Sequence, residues 1–234
     1  PLKAAWVYPS PRADEGWSKQ HEEARMLIEQ KYGDKIRTQV VDNVTNTVDA
    51  ERVIRDLAAQ GNKIIFATSF TYMNPALKVA KEFPDVKFEN CTGYKTAANY
   101  SNYNARFYQA RYLAGKLAAS MSKTAHLGYV AAMPIPEVLQ GINAYTLGAQ
   151  SVNPDVKVSV VWTNTWYDPG KEVDATNTLI GQGCDILTHH TDSTAVPATA
   201  ESRGVKVISY HSAMTKTAPK QLIGAVTHHW DEYY

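Results

Sequence analysis

The sequence predicts an α/β protein built from two similar halves, each a doubly wound parallel sheet. Three observations carry this. Short apolar runs alternate with helical stripes along all 234 residues. The alternation restarts after a Tyr- and Asn-rich stretch at residues 92–103. Each half also places a tryptophan where a strand hands over to a helix. Residues 3–8 break at Pro9-Ser-Pro11 and lead to Asp14-Glu-Gly-Trp17, and residues 156–163 lead to Thr165-Trp166-Tyr167-Asp168-Pro169. Parallel strands joined through helices require right-handed crossovers, and ligands of open parallel sheets bind outside the carboxyl ends of the strands. Two indoles delivered there by two domains would clamp one flat ring.

The elements follow in order. After the first strand, residues 16–32 place Trp17, Ala24, Leu27 and Ile28 on one helical face and stop at Gly33. Residues 36–41 form a second strand. Thr47 opens a helix with Val53, Ile54, Leu57 and Ala58 on one face, closed by Gly61. Residues 63–68 are nearly all apolar, as in a strand covered on both faces. Asn74-Pro75 reads as an N-cap with proline at the first helical position, and that helix ends at Phe83-Pro84. A fourth strand spans 86–91, and 92–103 read as loop. The long helix 105–121 opens the second half. There 126–131, 156–163, 185–191, 205–210 and 222–227 are strands. Residues 137–152, 171–182 and 194–203 are helices, the last with Pro197 in its first turn. The predicted domains are 1–103, rejoined by 228–234, and 104–227.

Composition narrows the chemistry. The 24 basic and 23 acidic residues nearly balance, so net charge implies no polyanion partner and no nucleic acid. No run approaches the roughly 18 apolar residues of a membrane span. Strand-like sequence begins at Lys3, so a targeting segment is expected to have been removed already. Cys91 and Cys184 fall in separate halves and read as small buried hydrophobes. Neither a glycine-rich phosphate loop nor a Gly-x-Ser-x-Gly elbow occurs, so neither phosphate binding nor a hydrolase nucleophile is indicated. His189-His190 lie in a strand and point to opposite faces, and His228-His229 do the same if their strand continues. No metal and no cofactor are expected.

The runs Asp14-Glu-Gly-Trp17, Tyr112-Leu-Ala-Gly115, Pro136-Glu-Val-Leu-Gln-Gly-Ile-Asn143, Gly148-Ala-Gln-Ser-Val-Asn-Pro154 and Trp166-Tyr-Asp-Pro169 carry a resemblance. Through them the chain resembles the basic membrane protein family of ABC-transporter substrate-binding proteins, in the branch of purine nucleoside receptors and adenine-binding members. The resemblance implies a type I periplasmic-binding-protein fold, with two doubly wound domains joined by a hinge and the ligand between them. It places Trp17 and Trp166 at the family's two base-stacking positions. Two departures, Asp192-Ser-Thr194 and Ser209-Tyr-His-Ser-Ala213, put the ribose contacts in doubt and make a free nucleobase as plausible as a nucleoside.

The candidate ligand-binding residues are Trp17, Trp166, Asp14, Phe70, Tyr72, Asn104, Arg106, Asp192 and His211. Each has a plainer reading. Trp17 fits a core anchor and Asp14 a helix cap, while loop aromatics such as Phe70 and Tyr72 commonly pack over strand ends. Asp168 before Pro169 reads as an N-cap. The expected function is capture of a purine base or nucleoside for a membrane permease, by a monomer in the periplasm or cell envelope, with a lipid anchor as one form of attachment. An enzyme acting on a nucleoside in the cleft is the alternative, although no nucleophile with a positioned base is evident. A regulator's sensor core would need a DNA-binding module before the first strand. Two interdomain crossings are counted, near 99–106 and 226–229. The family has three, so the native chain is expected to continue past Tyr234.

Overall fold

A computed structural model describes every residue, Pro1–Tyr234. The first half comprises β1 (Leu2–Val7), α1 (Trp17–Tyr32), β2 (Ile36–Val41), α2 (Thr47–Ala59), β3 (Ile64–Ala67), α3 (Met73–Glu82), β4 (Lys87–Cys91) and β5 (Tyr100–Tyr103). Its sheet is parallel throughout, in the order β2-β1-β3-β4-β5. The second half comprises α4 (Phe107–Met121), β6 (His126–Ala131), α5 (Pro136–Gln150), β7 (Lys157–Trp162), α6 (Pro169–Gly181), β8 (Ile186–His189), α7 (Ala195–Arg203), β9 (Lys206–His211) and β10 (Leu222–Thr227). Its parallel sheet runs β10-β9-β8-β6-β7. Numbered within its own half, each sheet has the same order: second, first, third, fourth, fifth.

Contacts divide the chain into two units. One holds Pro1–Ala13, Trp17–Ala105 and His229–Tyr234; the other holds Asp14–Gly16 and Arg106–His228. Central strands are buried on both faces, as their apolar runs require. Ala4 to Val7 of β1 and Ile65 to Ala67 of β3 are all buried, whereas the edge strand β2 alternates between half-buried and exposed positions. Local signals set the helix starts. The Asn46 side chain caps α2 by accepting from Asp49 N at 2.9 Å. Asp168 caps α6 by accepting from Lys171 N at 3.0 Å, with Pro169 next, as the sequence indicates.

Two local expectations are corrected. Asn74 does not open α3: a 3-10 turn at Phe70–Tyr72 precedes the helix, and Ser69 Oγ caps that turn by accepting from Thr71 N. Asn74 instead accepts from Lys95 Nζ at 2.7 Å. The stretch 92–103 is also not all loop, because Tyr100–Tyr103 pair with β4 in the register Phe88↔Tyr100 to Cys91↔Tyr103. Asn99, just before this strand, donates from its amide to the carbonyls of Ala80, Phe83 and Val86 and ties the strand entry to the end of α3.

α4 and α5 cross at two glycines. A Cβ on Gly115 would lie 1.9 Å from Tyr145 O, and one on Gly148 would lie 2.0 Å from Tyr112 O. Each glycine therefore admits the other helix's backbone. This accounts physically for the Tyr112–Gly115 and Gly148 motifs. Gly148→Ala should destabilise the second unit by at least about 2 kcal/mol, because backbone has to move to make room. Thermal unfolding checks this, and an unchanged midpoint would refute the close approach.

No helix is long and apolar enough to cross a membrane. No group of three or more His, Cys, Asp or Glu side chains could hold a metal ion.

Candidate functional site

In the first unit, Trp17 begins α1 and is buried. Its Nε1 donates to Thr68 O at 2.6 Å, just beyond β3. Thr68 Oγ1 in turn donates to Val7 O at 2.7 Å, so the indole is tied to the carboxyl ends of two central strands. Two rings meet it edge-on: His21 at 4.7 Å and Trp230 at 5.6 Å between centroids. His21 stacks on Trp230 at 4.7 Å and 13°, and its Nδ1 is hydrogen-bonded to the Tyr234 hydroxyl. Trp17 is thus a fixed ring at a sheet edge. These contacts fit the core-anchor reading of Trp17.

The other candidates near this half separate. Phe70 stays half-buried in its 3-10 turn, 6.2 Å from the Tyr94 ring. Tyr72 is fully buried among the first unit's core residues, and its hydroxyl donates to Val44 O. Those contacts give Tyr72 a packing role. Asn104 is exposed and accepts from Ala105 N at 2.8 Å, and Arg106 is exposed at the start of α4. A buried side chain that sequence reasoning missed, Asn90, donates to Ala67 O at 3.0 Å and Ser69 O at 2.8 Å, holding the turn after β3.

The second unit brings Asp14, Trp166, Asp192 and His211 together. Trp166 lies half-buried in the β7–α6 loop, and its carbonyl accepts from Asp192 N at 3.0 Å. Asp14 accepts a hydrogen bond from the Tyr167 side chain; burial first and this carboxylate second push the Tyr167 hydroxyl up to about 12. Glu15 O accepts from Ser212 Oγ at 2.6 Å. Gly16 packs so tightly that a Cβ there would lie 1.9 Å from Asp192 O. The loop carrying Asp14 is therefore seated against the loops carrying Asp192 and Ser212. Asp192 Oδ1 lies 3.3 Å from Nε2 of the fully buried His211.

Below these loops lies a buried polar layer with few signs in the sequence. Glu172 of α6 accepts from Ser193 Oγ and, at 3.2 Å, from Asp168 N. Burial raises its pKa to about 7, and the charge of Asp192 adds to the shift. Arg111 is a buried cation that donates to Thr188 Oγ1 at 3.1 Å and His189 O at 2.7 Å. Its guanidinium lies 3.8 Å above the Tyr210 ring. His189 Nδ1 lies 3.0 Å from Thr191 O and its Nε2 accepts from Tyr210 N at 3.2 Å, whereas His190 Nε2 approaches Glu137 at 3.5 Å. Burial lowers the pKa of His189 and His211 to about 3 and that of His190 well below its ordinary value, with Arg111 adding to each. All three are neutral at pH 7. Chemically, this edge offers aromatic faces and carboxylate acceptors suited to N–H donors.

A family model described as "ABC transporter substrate-binding protein PnrA-like" matches residues 2–234. A purine-binding protein of Brucella abortus is 54% identical over 233 residues, covering 100% of this chain and 67% of its own length. A Haloferax volcanii protein whose name assigns it to glucose binding by an ABC transporter is 39% identical over 233 residues, covering 100% of this chain and 59% of its own. The chain thus spans roughly three-fifths to two-thirds of these relatives. The solved structure of an ABC-transporter solute-binding protein from Aeropyrum pernix K1 matches with a TM-score of 0.82 at 21% identity, over 95% of this chain and 66% of that one. That likeness concerns the fold, which is of the type I periplasmic-binding-protein class.

Proposed function

This chain belongs to the PnrA-like family of ABC-transporter substrate-binding proteins, and we propose that it captures an uncharged purine, as free base or nucleoside, and delivers it to a membrane permease. The observation that carries this reading is the grouping of Trp166, Asp14 and Asp192 on the second unit's loops. It combines a half-buried indole with carboxylates that can accept from purine N–H groups. Trp17, fixed at the carboxyl edge of the first sheet, supplies a second aromatic face. The 54% identity to a purine-binding protein supports the same choice. Closure of two domains around the ligand is the switching mode of such proteins. In this reading the protein is a monomeric, extracytoplasmic binder with no catalytic step, held at the membrane by a lipid anchor. Phe70, Asn104 and Arg106 are further candidate contacts.

Calorimetric titration with adenine, adenosine, guanosine and glucose tests the reading. Micromolar or tighter binding of a purine, recovered unchanged by chromatography, supports it. Binding of glucose alone overturns it, and conversion of the purine to product restores the enzyme alternative. Adenosine monophosphate should bind at least about tenfold more weakly than adenosine. The sequence has no glycine-rich phosphate loop, and desolvating a phosphate without paired donors is costly. A competition assay in which the monophosphate wins would refute this.

A further inference from the structure

Three buried side chains of the second unit stand in line. His228 Nε2 lies 3.0 Å from His211 Nδ1. His211 Nε2 lies 3.3 Å from Asp192 Oδ1 and 3.2 Å from Thr191 O. His211, the last residue of β9, has φ +74°, in the left-handed region.

The acceptors at Nε2 of His211 point to one proton order. Nε2 of His211 faces a carboxylate oxygen and a carbonyl oxygen, both acceptors, so Nε2 carries the hydrogen. A neutral imidazole has one N–H, so His211 Nδ1 is an acceptor. The hydrogen between the two rings then comes from His228 Nε2. The order is donation from His228 to His211 and from His211 to Asp192. Each ring's tautomer depends on the other's. An ionised carboxylate accepts several hydrogen bonds, so one from His211 is compatible with another from a ligand.

We infer that His211 and His228 are positioning residues that hold the Asp192 carboxylate as the acceptor for an N–H group on the edge of the bound purine. The inference rests on the proposed function, and it moves His211 from direct ligand contact to the layer behind that contact. It makes an N–H donor on the purine the feature this part of the site selects.

The test uses the whole chain, adenine as probe and two measurements. In the first, calorimetric titration compares wild type, Asp192→Ala, His228→Phe and the double variant. Asp192→Ala should weaken adenine binding about 10- to 100-fold, the range for a hydrogen bond to a charged group. His228→Phe should weaken it about 5- to 10-fold, but less than twofold in the Asp192→Ala background, since both changes remove one interaction. Equal losses in the two backgrounds overturn the relay. The second measurement needs no variant: long-range ¹⁵N–¹H spectra of the labelled histidines report the tautomers directly. Protons on Nε2 of both His211 and His228 support the order above, and a proton on Nδ1 of His211 overturns it. If wild type binds no purine while the tautomers are as stated, the proposed function fails and the proton order stands.

Discussion

Replacing either tryptophan with alanine should cost most of the affinity for a purine. Stacking on an aromatic side chain contributes on the order of 1–3 kcal/mol per base, so Trp166→Ala and Trp17→Ala should each weaken binding about 5- to 150-fold. The two variants should differ in stability. Trp166 is half-buried in a loop, and its removal should leave the unliganded unfolding midpoint nearly unchanged. Trp17 is buried, donates to Thr68 O and contacts His21 and Trp230, so its truncation should also destabilise the first unit by about 3–5 kcal/mol. Titration and thermal unfolding of the same preparations check both statements. Unchanged affinity in both variants would dispose of the stacking model.

Mild acid should unfold the second unit. His189, His190 and His211 stay neutral in the fold far below the ordinary histidine value of 6.5, because burial and Arg111 penalise their charged forms. The unfolded chain takes up those protons near pH 6.5. Their contribution to stability is therefore complete above that value and is lost as pH falls toward 3. Glu172 acts in the opposite sense. With a folded pKa near 7 against an ordinary 4.5, it holds a proton that the unfolded chain lacks, and so stabilises the fold as pH drops from 7 to 4.5. Between pH 6.5 and 4.5 the unfolded state binds a net two extra protons, three from histidine less one from Glu172. Each is equivalent to about 1.4 kcal/mol per pH unit, so stability should fall by as much as about 3 kcal/mol per unit. For a domain whose total stability is roughly 5–15 kcal/mol, unfolding midpoints measured at pH 7.5, 6 and 5 should drop steeply. A flat profile would mean that these histidines are not held neutral.

Much of this architecture is legible in the sequence where a short apolar run or an explicit cap marks the element. Residues 36–41, 126–131 and 222–227 are read at the boundaries that β2, β6 and β10 adopt. Asp168-Pro169 is a helix start in both views. Strand β5 is not legible, because Tyr-Ser-Asn-Tyr has no apolar run and its pairing is decided by β4 and by the Asn99 amide. The site divides in the same way. Trp166, Asp14 and Asp192 announce themselves by lying just past strand ends. Thr68 O, which fixes Trp17, is a backbone atom that no side-chain pattern encodes. Glu172 sits in a helix that reads like any surface helix, and only the fold places Ser193 and Asp192 around it. His211 is visible as a strand-end histidine, but its positive φ is not.

The repeated strand order of the two sheets does not extend to the tryptophans. Trp17 follows β1, the first strand of its half, whereas Trp166 follows β7, the second strand and an edge of its sheet. The two rings are not topological twins, and they lie under unequal constraint. Trp17 is buried and donates to Thr68 O, whereas Trp166 is half-buried, with its ring 6.2 Å from that of His190. This inequality bears on evolvability. Position 17 is enclosed by the first unit's packing, while position 166 is partly open to solvent. Adaptation of this scaffold to a differently shaped flat ligand should therefore begin at residue 166.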